Sequence, residues 1–226
     1  MSRFSTVIRR WLRATNSRAL NPIRDGADSV SVRTIAVFLL VVGALSALGF
    51  ARHEQRVQEQ DRLATIASDL AGRRVGVRCP GFLSSLVDTR GEAGRVRFDA
   101  AGRPADHTDL SPQTCKALRH LDHVDFSCLD RNDCGFAQFN AAWAAHTLAH
   151  EAFHLRGFQD EGVTECYALQ NTAFVAERLG VAAARAEELQ AWIYVRGYPN
   201  EPEEYHSAQC YSGGPLDLRP NVDRFP

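Results

Sequence analysis

An uncharged run from Thr34 to Ala51, "TIAVFLLVVGALSALGFA", constrains this chain more than any other stretch. Inside a hydrocarbon layer every backbone N–H and C=O must be paired, and a single segment can do that alone only as an α-helix. A helix of this length rises about 27 Å, close to the ~30 Å of a bilayer core.

Charge orients the segment. Residues 1–33 carry seven Arg against Asp25 and Asp28, a surplus of five, in a chain whose net charge is −1; everything after the apolar run therefore carries −6. The positive-inside rule then places the basic tail, 1–33, in the cytoplasm. Residues 34–51 become a single-pass signal-anchor in the cell membrane, with the C-terminal body outside. The rival is a cleaved signal peptide, whose apolar region is usually shorter, about 7–15 residues. Ala44, Ser46 and Ala47 are small enough to serve such a cleavage. A basic tail on an acidic body also argues against nucleic acid as a partner, since that would need a basic stripe on the folded part.

Cysteine usage agrees with export. Cys79, Cys115, Cys128, Cys134, Cys166 and Cys210 all follow the apolar run. An even number in an exported domain reads as a set of disulfides, with the pairing left open. No pair has the Cys-x-x-Cys spacing of a zinc ribbon or redox motif.

Residues 52–74, "RHEQRVQEQDRLATIASDLAGRR", are polar and rich in helix formers, which predicts a helical stalk. The folded body is expected over 75–226. "RVGVRC" alternates like a strand, and "GRVRFDAAGRPADHTDL" reads as a hairpin with Val96 and Phe98 on one face and a turn from Asp99 to Pro104. Ser111 suits a helix N-cap, with Pro112 at the first helical position. Cys128–Cys134 reads as a loop. From about Ala137 the chain reads as helical. One helix stops at Gly157, a second runs from an Asp160 cap to Gly180, and a third ends at Gly197 and Pro199. The tail after it is irregular. Strands first and helices after give an α+β class: a small hairpin and strand region, then a helical hairpin, preceded by one transmembrane helix.

That hairpin carries His150-Glu151-Ala152-Phe153-His154, an HExxH motif. Residues i and i+4 share a helix face, so both imidazoles can reach one metal at about 2.0–2.1 Å. Glu151 lies beside that point, where it can take a proton from a coordinated water. Zinc lowers the pKa of such a water to about 7. The bland alternative is a solvated helix face rich in His and Glu. Against it stand the mid-helix position and the second helix, which follows at once and opens with carboxylates.

The block "TLAHEAFHLRGFQDEGVTECYALQ", Thr147–Gln170, resembles zinc metallopeptidases of the HExxH superfamily, gluzincins in particular. It is also similar to membrane-anchored HExxH proteins of actinobacteria. The likeness covers roughly residues 147–170. "DEGVTE" resembles the stretch that supplies the third zinc ligand in thermolysin-like and aminopeptidase-like members. The resemblance implies Glu161 as that ligand and Glu165 as the residue that orients His150, with an exchange of the two roles left open. Asp160 is the third contender, because "HEAFHLRGFQD" fits the metzincin spacing. Metzincins also need a Met-turn, and the one Met here is Met1.

Of the remaining histidines, His146 lies one turn before His150 and either approaches the metal or only extends the polar face. His206, with Tyr205, is the candidate for stabilising a transition-state oxyanion. The alternative is an exposed tail pinned by Cys210. No edge strand of the usual peptidase kind is evident just before the HExxH helix.

The leading expectation is a membrane-anchored, extracytoplasmic zinc metallohydrolase that cleaves peptide or protein substrates, with Glu151 as general base. The rival, from another class, is a non-catalytic, disulfide-stabilised envelope protein with a structural metal site or none. The topology has a direct check. Fused to the C-terminus, alkaline phosphatase is expected to be active and green fluorescent protein dark; a fluorescent, phosphatase-negative result overturns the orientation.

Overall fold

The computed structural model describes residues 32–80, 92–222 and 224–226. Most of the basic tail expected in the cytoplasm, residues 1–31, lies outside the described residues. The chain divides into two units, Met1–Phe50 and Ala51–Pro226.

In the first unit the described residues belong to α1, Val32–Ala71, which continues into the second. Its apolar side chains stand in the open, with Phe38 66% and Leu40 74% exposed. It is one helix long and apolar enough to cross a membrane.

In the second unit α1 does not stay a solvated stalk to its end. Leu63, Ile66, Ala67, Leu70 and Ala71 are all buried in the hydrophobic core. Their spacing, i, i+3, i+4, i+7, i+8, is an apolar stripe of helical period. The core therefore begins inside the expected stalk and not at Val75. Polar neighbours such as Arg62, Ser68 and Asp69 obscure that stripe in the sequence.

Three short strands follow: β1 Gly76–Arg78, β2 Gly94–Phe98 and β3 Pro104–Leu110. Their order is β1-β3-β2. β2 and β3 form the expected antiparallel hairpin, with Val96 opposite Thr108 and a bulge between Val96 and Phe98. The Asp99 carboxylate organises the turn by accepting from the Ala101 and Arg103 amides, both at 2.9 Å. β1 joins β3 in parallel, with Gly76 opposite His107. This pairing between distant segments has no local signature.

Helix α2, Pro112–Arg119, starts as expected, with the Ser111 hydroxyl accepting from the Thr114 amide at 3.1 Å. Two 3₁₀ turns, Leu121–His123 and Ser127–Arg131, lead to α3, Phe136–Arg156. α4 is Glu161–Leu169, α5 is Thr172–Arg178 and α6 is Ala183–Arg196. The expected second helix is thus two helices. The break falls at Gln170, whose amide group donates to the Leu216 carbonyl at 2.8 Å and accepts from the Leu218 amide at 2.7 Å. That side chain ties the irregular tail to the helices.

α3 is the hub. Every residue from Ala144 to Leu155 is buried, and α2, α4, α5, α6, β2 and β3 all pack on it. Such a helix is apolar in most proteins, yet this one carries three His and a Glu at its centre. Buried polar groups of that kind persist only where each has a partner.

The six cysteines form three disulfides, Cys79–Cys115, Cys128–Cys134 and Cys166–Cys210. The first joins the end of β1 to α2. The third joins α4 to the tail. Peptide mapping without reductant is expected to recover these three pairs. Leu63→Ala is expected to cost about 2–5 kcal/mol in urea unfolding, the usual range for a buried Leu. A loss within ~0.5 kcal/mol, typical of surface positions, would show that this part of α1 lies outside the core.

Candidate metal centre

The turn between α3 and α4 sets the geometry. Gly157 takes a left-handed conformation (φ 118°) that L side chains rarely adopt, and it stops α3. The Gly157 amide donates to His154 O at 2.9 Å and the Phe158 amide to Phe153 O at 3.3 Å, so the last carbonyls of α3 are satisfied. Asp160 restarts the chain by accepting from the Val163 amide at 2.9 Å. α4 then lies against α3, and Glu161 and Glu165, one turn apart, face its histidines.

The tautomers follow from the partners. His154 Nδ1 is 2.7 Å from the Phe158 carbonyl oxygen. That oxygen can only accept, so the proton is on Nδ1 and Nε2 presents a lone pair. His150 Nδ1 is 2.9 Å from Glu165 Oε2, which fixes the same tautomer. The two Nε2 atoms lie 2.9 Å apart, and Glu161 Oε2 is 3.0 Å from one and 3.1 Å from the other. Three acceptor atoms thus converge on one point with no donor among them. Only a cation, a proton or a metal ion, makes that arrangement favourable, and the group could hold a metal ion. The sizes fit, because a triangle with these edges has a radius of about 1.7 Å, shorter than the ~2.0–2.2 Å of metal–N and metal–O bonds, so one ion off its plane reaches all three atoms.

Electrostatics point the same way. Burial disfavours charge on His150, but Glu161 and Glu165 outweigh it and raise its pKa to about 10 in the ion-free protein. Burial also disfavours the Glu161 carboxylate, yet the imidazoles of His150 and His154 beside it, once protonated, bring its pKa down to about 2. The surroundings favour positive charge at the point where the three atoms meet.

Glu165 is 1% exposed and sits between two imidazoles. Besides His150, it meets His146 Nε2 at 2.9 and 3.0 Å. Burial would raise its pKa, and His146 and His150 together lower it to about 2. His146 Nδ1 in turn lies 3.0 Å from the Thr172 hydroxyl. Sequence reasoning left His146 open, and the structure makes it the support of Glu165. The available signal was the 146, 150, 154 spacing, which puts three histidines on one face. His146, His150 and Glu165 form a second, overlapping group with metal-like spacing.

Glu151 is buried beside this centre, accepting from the Thr108 hydroxyl at 3.3 Å. Burial pushes its pKa above the ordinary carboxylate value, with His150 and His154 opposing. Its seat is made by Gly94 on β2. A Cβ there would lie 2.8 Å from both Cγ and Oε1 of Glu151. Nothing in the local sequence marked Gly94 as part of the site.

These groups line a cleft of about 620 Å³. Residues 92–96 and Phe98 form one wall, and Glu201, Pro202 and Tyr205 form another. Among the described residues β2 pairs only with β3, and Gly94, Arg95, Val96 and Phe98 of this strand line the cleft.

Two expected site residues lie elsewhere. Asp160 caps α4 and does not line the cleft. His206 is exposed, packs on the Tyr198 ring at 4.6 Å, and places Nε2 3.0 Å from the Glu201 carbonyl oxygen. Its backbone is pressed against α4, where a Cβ on Gly162 would lie 2.7 Å from His206 O. Tyr205, one residue earlier, faces inward, its ring 5.6 Å from that of His150.

No family model, curated protein or solved structure matches this chain. The likeness to gluzincins therefore rests on residues 147–170 alone.

The site makes a graded prediction for metal affinity, read by competition with a chelating dye. Glu165→Ala is expected to weaken binding by about 10–100-fold, the usual cost of losing a group that orients a ligand. Glu161→Ala is expected to cost more, and His154→Ala to abolish stoichiometric binding. A full metal equivalent in His154→Ala overturns the centre. Loss in Glu165→Ala with retention in Glu161→Ala exchanges the two glutamates.

Proposed function

We propose that this protein is a membrane-anchored, extracytoplasmic zinc metallohydrolase that cleaves peptide bonds. The observation that carries the reading is the convergence of His150 Nε2, His154 Nε2 and Glu161 Oε2, with both Nδ1–H groups already committed, beside a buried Glu151. These three atoms are the proposed ligands. The overlapping group is less suitable, because Glu165 is fully buried and already accepts from two imidazoles.

Two imidazoles and one carboxylate are the donor set of catalytic zinc, whereas closed structural sites use four protein ligands and are often rich in Cys. All six cysteines are engaged in disulfides, so none is free to ligate. Zinc held here would polarise a substrate carbonyl and lower the pKa of a coordinated water toward about 7.

The remaining roles fall to the chain. Glu151 accepts the proton of the attacking water and returns it to the leaving amine. Burial moves its carboxyl toward neutrality, which suits a group that must both accept and give. Tyr205 is the proposed donor to the developing oxyanion, in place of His206. Burial pushes its phenol up to about 12, so it keeps its proton at neutral pH. Among the described residues β2 has β3 as its one partner, which supports a peptide substrate, since an extended chain can add to such an edge by backbone pairing along the cleft.

The exposed apolar length of α1 and the three disulfides support a crossing at 34–51 with the domain outside. Glu151→Gln separates enzyme from binder. It is expected to keep one zinc and to lose at least about 100-fold in cleavage of a peptide library, because an amide has no basic oxygen. Equal cleavage by this variant and the wild type would falsify the mechanism.

A further inference from the structure

One carboxylate of the cleft has no place in the chemistry above. Glu201 lines it together with His146, His150 and Tyr205. Among the described residues its side chain has no hydrogen-bond or ion-pair partner, and the hydrogen bonds it makes are through its backbone. The segment that carries it is firmly built. The Glu201 amide donates to Tyr198 O at 3.1 Å, its carbonyl accepts from His206 Nε2 at 3.0 Å, and Cys166–Cys210 staples the following residues to α4. His206 thus acts as a strut for Glu201.

The charge balance around it is one-sided. Glu92, Glu151, Glu161 and Glu165 line the same cleft. Arg95 is the only Arg or Lys lining it among the described residues, and its guanidinium lies 3.7 Å from Glu92. A divalent ion held by the three ligand atoms would offset Glu161, and His146 faces Glu165. Among the described residues no cationic side chain pairs with Glu201, and only the imidazoles of His146, His150 and His206 oppose its charge penalty from a distance. Burial and then the nearby Glu165 carboxylate outweigh those imidazoles and raise its pKa, a cost that an incoming cation relieves.

We propose that Glu201 is a recognition subsite for a protonated amine of the substrate, either its N-terminal ammonium or a basic side chain next to the scissile bond. This rests on the zinc-hydrolase reading. A carboxylate held by a stapled backbone, half-buried beside the reaction centre, binds an ammonium through a charge-assisted hydrogen bond and repels acidic substrates.

The test uses zinc-loaded full-length protein in detergent and isothermal calorimetry with hydroxamates, which bind zinc without being cleaved. Leucine hydroxamate against N-acetyl-leucine hydroxamate probes the terminal ammonium. N-acetyl-lysine hydroxamate against N-acetyl-norleucine hydroxamate probes the side chain. In the wild type the charged member of at least one pair is expected to bind about tenfold tighter or better, the scale of a hydrogen bond to a charged group. In Glu201→Gln that ratio is expected to fall below about twofold, with zinc content unchanged. A wild type with no preference in either pair overturns the subsite, as does a preference that survives Glu201→Gln. If no hydroxamate binds the zinc-loaded protein, the proposal falls together with the metal-cleft reading, a result distinct from loss of the amine preference alone.

Discussion

The ion pair between Glu165 and its two histidines governs the rest of this domain. It is buried at the junction of α3 and α4, where an unpaired carboxylate would be strongly destabilising. Glu165 takes an N–H from His150 on one side and meets His146 on the other, so its charge is matched by geometry and not by water. Because it holds His150 in one tautomer, the opposite nitrogen must face the cleft. Glu161, one helical turn earlier on α4, then reaches the same point. A polar network at the centre of a buried helix therefore sets the candidate metal centre and the register of the two helices together.

Much of this was legible in the residues. The HExxH spacing, the Gly157 stop, the Asp160 cap and the four-residue offset of Glu161 and Glu165 are local signals, and local signals act within one helix or one turn. They were sufficient to face α4 toward α3. The hairpin was legible for the same reason, through its alternation and the Asp99–Pro104 turn. What was not legible depends on contacts between distant segments. The parallel pairing of β1 with β3, the burial of Leu63 and Ile66, and the break at Gln170 are decided by partners 30 to 50 positions or more away. His206 illustrates the same limit. The sequence offered His206 and Tyr205 side by side, and only the packing of the tail on Gly162 decides which of them faces inward.

The tail has the composition of a loop, yet it forms a wall of the cleft. Its order comes from outside itself. Gln170 fixes residues 216 and 218, Cys210 is bonded to Cys166, and Gly162 lets the backbone of His206 approach α4. Three anchors from α4 and its C-terminal end thus turn an irregular segment into a rigid surface. In a domain of this size such anchoring takes the place of further secondary structure.

Gly94 carries a different kind of information. It touches Glu151 by having no side chain, and every L-residue placed there brings a Cβ to within 2.8 Å of that carboxylate's Cγ. The usual signature of a metallohydrolase is written in residues that are present, spaced along one helix. In this chain the seat of the motif's glutamate depends on an atom left out of a strand more than fifty positions earlier. Distant kin of this chain would then be recognised by a joint rule, an HExxH helix together with a glycine on the edge strand that packs against its glutamate. A chain that keeps the histidines and glutamates but fills the place of Gly94 would have to move the carboxylate of Glu151 from its seat beside them.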